Sequence, residues 1–340
     1  MRSSYSDGLG RVRRAPWVVA GTYVATVLMA VPLALTLRGM MMEHLGASLA
    51  AGAAARGVNF DWWNEFLAQS AGLGQTFVPA ILGFAAVLKN LSTVADAEAL
   101  PTVIASAVVA HAVLSLFLAG GILDRLARNR VVGAAAFFSA CGVYFFRFLR
   151  LGLVAGLVYW QLFTRVHPWL FDEVLADATR DITVERTAFV YRLGFYALFG
   201  AAVLAVNVVM DYAKIRAVVE DRRSMLGALA ASLRFIRHHP GAAVGLYLAN
   251  TLLFLAVVAA YAVAVPPATA PVWAIVGAGQ LYILLRVIVR LQFAASQTAL
   301  FQSRLAHAGY TAAPVPKWPD SPAVEAVSAA GPGATGASTP

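Results

Sequence analysis

Six stretches of nearly uninterrupted apolar residues recur along this chain, at 17–37, 101–123, 148–166, 189–210, 241–265 and 272–293. A helix of about 20 residues, rising 1.5 Å per residue, crosses a hydrocarbon core of about 30 Å. The pattern predicts an all-α fold, a polytopic helical membrane protein with six transmembrane helices. Composition agrees. Of 340 residues 60% are hydrophobic and only 13% charged, where a soluble domain carries about 25% charged residues. So little charge cannot cover a water-facing surface.

The remaining segments divide accordingly. Residues 1–16 form a basic arm, and 17–310 the membrane domain. Arg11, Arg13 and Arg14 ahead of the first stretch also suit a signal peptide. Its length and the five spans that follow favour an uncleaved helix, kinked at Pro32. Val131–Val166 as a single helix would be about 54 Å long, too long for one crossing. It reads instead as an interfacial helix from Val131 to about Phe146 and a span from Phe148, with Arg147 and Arg150 snorkelling to the headgroups. The prolines of 266–271 make a tight turn. Residues 311–340, rich in Pro, Ala, Gly and Ser, read as a disordered tail.

Charge sets the orientation. Taking the N-terminus as inside, 19 Lys and Arg fall on the inner segments and 7 on the outer ones, while acids divide 7 inside and 10 outside. The net charge of +9 thus separates into +12 and −3, as the positive-inside rule requires. Both termini are expected in the cytoplasm of a bacterium, the chain in its inner membrane. The basic character then points to anionic inner-leaflet lipids as partners rather than to nucleic acid.

Two inner segments share a pattern. Asp124 precedes Arg147-Phe148-Leu149-Arg150 by 23 residues, and Asp211 precedes Arg234-Phe235-Ile236-Arg237 by 23. The repeat suits a duplicated unit of span, cytoplasmic elbow and span, the kind of duplication transporters use. It equally suits two independent uses of Arg pairs as interfacial anchors. The stretch Asp211-Tyr-Ala-Lys-Ile-Arg-Ala-Val-Val-Glu220, leaving a span and entering an interfacial helix, resembles poorly characterised six-span bacterial integral membrane proteins. It is distantly similar to the membrane domains fused to glycerophosphoryl diester phosphodiesterases. The resemblance covers about residues 190–260. It implies fold and membrane context but no phosphodiesterase activity, because no such catalytic domain accompanies it.

Candidate functional residues fall in three groups. Arg147, Arg150, Arg234, Arg237, Arg286 and Arg290 lie near one depth and are candidate contacts for anionic lipid or substrate. Arg286 and Arg290, four apart, share a helix face. Arg286 lies about 21 Å from the outer end of its span, so it must snorkel, pair with an acid or line a wet cavity. His111, Asn207, Asn250 and Gln280 are polar residues inside spans, either a pathway lining or interhelical hydrogen bonds. In the outer connection 38–100, Trp62, Trp63 and Phe66 form a candidate interfacial anchor after the helix-start signal at Asn59. The apolar stretch Phe77–Leu88, too short to span, is a re-entrant or interfacial segment, either a lid or an anchor.

No catalytic, cofactor or metal motif emerges. There is no His-Glu-x-x-His. The neighbours His238 and His239 point about 100° apart on a helix, poorly placed for one metal. Gly46-Ala47-Ser48 lacks a paired histidine, and the acids from Asp172 to Glu185 read as a solvated helix face. Cys141, the single cysteine, reads as a buried small hydrophobe. The expected function is non-catalytic handling or transport of a lipid or amphipathic small molecule. The alternative is a membrane scaffold or accessory subunit that binds other proteins or further copies of itself. Gly152-Leu-Val-Ala-Gly156 would support helix packing in either case.

Overall fold

A computed structural model describes residues 2–46, 48–54, 59–78, 83–267 and 270–307. All its regular elements are helical: α1 (Arg2–Arg13), α2 (Pro16–Leu45), α3 (Ala51–Ala54), α4 (Phe60–Gln69), α5 (Gly83–Ala95), α6 (Thr102–Arg128), α7 (Ala134–Gln161), α8 (Leu175–Thr179), α9 (Glu185–Val219), α10 (Met225–His238), α11 (Pro240–Ala264) and α12 (Val272–His307). Six are long and apolar enough to cross a membrane: α2, α6, α7 with its continuation to Thr179, α9, α11 and α12. The chain is an all-α, multi-pass membrane protein. The expected tail 311–340, the centre of the 266–271 turn and residues 79–82 of the short apolar stretch lie outside the described residues.

Most helices run past the apolar windows that predicted them. α2 continues through Pro32 to Leu45, and α9 extends from Glu185 to Val219. Hydropathy marks only the part that suits hydrocarbon, whereas backbone hydrogen bonding continues until a cap or breaker intervenes. α6 ends at Asn129, whose left-handed φ of 49° closes the last turn. α10 begins at Ser224, whose side chain accepts from the Gly227 N–H, and ends at His239 before Pro240 opens α11.

One expected break is absent. Ala134–Gln161 is a single helix of 28 residues, about 42 Å, and π-helical turns at Leu162–Val166 and Trp169–Val174 carry it onward. No proline interrupts it, and Arg147 does not snorkel. Its guanidinium donates to Asp221 Oδ1 at 2.6 Å and to the Arg222 carbonyl. The first elbow is therefore the opening of α7, whereas the second is a separate helix, α10. The two units differ in construction, and the duplication draws no support from them.

α6 and α7 pack through Gly120 and Gly121. A β-carbon on Gly121 would stand 2.6 Å from Cys141 Sγ and 2.8 Å from the Phe137 carbonyl, so only glycine allows this approach. Cys141 is fully buried there, as the sequence suggested.

The best-packed region gathers where α1, the end of α6, the end of α9, α10 and residues 291–301 of α12 meet, hereafter the basic end. Val12, Leu126, Val287, Leu291 and Ala295 form an apolar cluster, and every residue from Ala295 to Phe301 is buried. Arg11 Nη1 donates to the Leu126 carbonyl, Arg125 to the Arg14 carbonyl and Gln292 to the Tyr5 carbonyl, so α1 is tied to two spans. Arg216 connects three elements. It pairs with Glu220 at 2.7 Å, donates to the Ala231 carbonyl at 2.6 Å and lies over the Phe301 ring.

The opposite end carries the 38–100 connection. Asn59 caps α4 by accepting from the Trp62 N–H. Trp62 and Phe66 turn inward, 7% and 2% exposed, into an aromatic cluster with His44 and Phe77. Two of the three residues assigned to a lipid anchor therefore hold α4 to the end of α2, since an aromatic face buries more area against other rings than at a surface. Trp63 is half-buried and donates to the Phe77 carbonyl, leaving exposed Phe60 as the outward-facing ring.

Candidate functional site

A cavity of about 670 Å³ opens between α2, α6, α9, α11 and α12. It reaches into the packed segment 295–301 at Gln297. α12 supplies one wall. Ile283, Arg286, Arg290, Ala294 and Gln297 recur at intervals of three and four and therefore share a face. α6 contributes His111 and Ser115, α9 contributes Asp211 and Lys214, and α11 contributes Tyr247.

The polar groups here are unevenly satisfied. Lys214 and Asp211, three apart, pair at 2.7 Å. Arg286 lies over the Tyr282 ring, 5.6 Å from its centroid. Neither Arg286 nor Arg290 has a hydrogen bond or ion pair among the described residues. Gln297 is 1% exposed, and its amide Nε2 is buried without a hydrogen-bond partner. A buried amide normally finds a partner, and leaving it without one costs about 1–3 kcal/mol. The wall thus presents two guanidiniums and an N–H donor toward a space bordered by one carboxylate, itself already paired.

The structure brings together three of the residues singled out from sequence: Arg286, Arg290 and His111. The other arginines do not join them in a collar. Arg147 is committed to Asp221, while Arg150 on α7 and Arg234 and Arg237 on α10 lie outside the cavity lining. The remaining polar residues serve helix packing. Asn207 accepts from the Tyr159 hydroxyl at 2.8 Å, joining α9 to α7. Asn250, fully buried, donates to Ser296 Oγ at 3.0 Å, joining α11 to α12. Gln280 accepts from the Tyr23 hydroxyl at 2.7 Å, joining α12 to α2.

Gln297, Lys214, Tyr247 and Asp211 are site residues that the sequence does not single out as such. Gln297 lies seven residues beyond Arg290, on the same face, but past the apolar stretch 272–293. Following the heptad register to the end of the helix would have found it.

A groove of about 510 Å³ flanks α12 between α1 and α2. Leu9, Val12, Val19, Leu284 and Ile288 line it, with Arg13 the only charged lining residue. Away from these two spaces, one further polar cluster stands at the opposite end. Asp96 accepts from Tyr196 and Ser92, and these bonds hold its carboxyl below the usual range. Among the described residues no three His, Cys, Asp or Glu side chains converge as a metal-ligand set. The chain matches no protein-family model, no curated protein and no solved structure.

Proposed function

We propose that this membrane protein binds the anionic head of a lipid or other amphipathic molecule in the cavity between α6, α9, α11 and α12, and handles or transports that molecule without chemical change. The observation that carries the reading is the pair Arg286 and Arg290, two guanidiniums on one face of a membrane-spanning helix with no carboxylate bound to either among the described residues. Charges at such depth are costly unless they serve a pathway or a ligand. The apolar groove on the other side of α12 supports the same reading, since it offers a surface for acyl chains beside a polar site for a head.

The basic end faces the bacterial cytoplasm in this proposal, with both termini inside, because most of the Lys and Arg gather there. Anionic lipids of that leaflet are the natural first partners. The kinship with six-span bacterial membrane proteins belongs to the proposal as well.

The test is extraction of the chain from its native membrane into polymer-bounded nanodiscs, with and without R286Q/R290Q, followed by quantification of co-purifying lipid and protein. Enrichment of an anionic amphiphile over bulk membrane, lost in the double variant, is the expected result. A stoichiometric protein partner with no enriched lipid would overturn it in favour of a scaffold.

A further inference from the structure

From the charge balance of the cavity we infer that its ligand is a phosphomonoester, a head carrying close to two negative charges, rather than a singly charged phosphodiester or carboxylate. The inference rests on the anion-binding reading above and specifies its ligand. Four ionised side chains line the cavity: Lys214, Arg286, Arg290 and Asp211. Asp211 and Lys214 neutralise one another at 2.7 Å. Two positive charges remain, on Arg286 and Arg290, one helical turn apart. His111, Tyr247 and Gln297 add hydrogen-bonding capacity without requiring a further charge.

Both guanidiniums are accessible from the cavity side, and a monoanion would leave one of them without a counter-charge on a membrane-spanning helix, where an unpaired charge is costly. A phosphomonoester carries about −1.5 to −2 at pH 7 and three strong acceptor oxygens. Arginine forks match such oxygens two at a time. The stacking of Arg286 on Tyr282 restrains that guanidinium while leaving its N–H edge free. Gln297 lies seven residues beyond Arg290, about 10 Å along the axis, and its partnerless Nε2 supplies a donor for an acceptor on the part of the ligand nearer the basic end.

Phosphomonoester chemistry has two sources, a lipid head such as that of phosphatidic acid or a free phosphate, and one experiment separates them. The purified full chain in nonionic detergent is titrated with phosphatidic acid, with phosphatidylglycerol of the same acyl chains and with inorganic phosphate, and binding is read by native mass spectrometry and thermal shift. Phosphatidic acid binding about tenfold or more tighter than phosphatidylglycerol supports a lipid phosphomonoester. Inorganic phosphate binding as tightly as phosphatidic acid supports a soluble one. Equal binding of the two lipids, lost in both cases in R286Q/R290Q, overturns the charge assignment while leaving the anion site standing. Binding unaffected by R286Q/R290Q overturns both. Should the double variant fail to fold, R290K and Q297L serve instead. R290K keeps the charge without the fork and is expected to weaken phosphatidic acid several-fold. Q297L removes one donor from a folded site and is expected to do the same, and unchanged affinity in both variants overturns the assignment.

Discussion

Gly8 of α1 rests directly on Ser296 of α12, where a β-carbon would stand 2.7 Å from the Ser296 Cα. No side chain fits that gap, so the contact fixes how closely α1 seats against the spans. Overpacked core substitutions typically cost about 1–3 kcal/mol. Gly8→Val is expected to lower the melting temperature in detergent. It should also expose the Arg13-Arg14 bond to trypsin while the rest of the chain stays resistant. Unchanged digestion kinetics would show that α1 is not held by this contact.

Glu220 closes α9 with a carboxylate held by Arg216 at 2.7 Å and by Arg222, its side chain only 8% exposed. Burial pushes the Glu220 carboxyl up, but hydrogen bonds and charge from Arg216 and Arg222 prevail and hold it below its ordinary value. A depressed carboxylate stabilises the fold fully above the ordinary glutamate pKa, and that contribution is lost as pH falls through the lower folded value. Glu220→Gln should cost about 3 kcal/mol at pH 7, because two guanidiniums lose their counter-charge. The difference in melting temperature between wild type and variant should shrink as pH drops below 4. A constant difference from pH 7 to pH 3 would exclude this linkage.

Cys141 is 0% exposed and packs beneath Gly121, its thiol directed to the Leu118 carbonyl. As the single cysteine it reports on the α6–α7 contact without any added label site. A membrane-permeant maleimide should leave the folded chain unmodified and label it fully after denaturation. Gly121→Leu, which forces α6 and α7 apart, should make Cys141 reactive under native conditions. Labelling of the wild type within minutes would contradict the close packing.

How much of this was legible beforehand depended on whether the decisive interaction was local. The six spans follow from hydropathy alone, because the bilayer requirement acts on each segment separately. The Asn59 cap and the burial of Cys141 were likewise readable from residue type and near neighbours. The continuity of α7 was not, since its Arg147 is held by Asp221, 74 residues away. Nor could sequence tell that Trp62 and Phe66 would meet His44 rather than lipid. For the candidate site, the i,i+4 spacing of Arg286 and Arg290 was visible. Which of six arginines would share a cavity was not, because that depends on where α6, α9 and α11 stop surrounding α12.

The two guanidiniums of that pair repel each other when no anion lies between them. At about 6 Å, the spacing of i,i+4 side chains, and an effective dielectric near 20, the repulsion is on the order of 2–3 kcal/mol before solvent screening. Arg290→Gln is therefore expected to raise the melting temperature by a few degrees in nonionic detergent free of anionic lipid. Ligand binding reverses the order, since a ligand at 100 times its Kd stabilises by about 2.7 kcal/mol. Saturating anionic lipid should lift the wild type above the variant and leave the variant nearly unmoved. A crossing of the two melting curves with lipid concentration is the signature of a site whose residues are arranged for a ligand at the expense of the unliganded fold. A variant less stable than wild type under both conditions would mean that Arg290 serves packing instead.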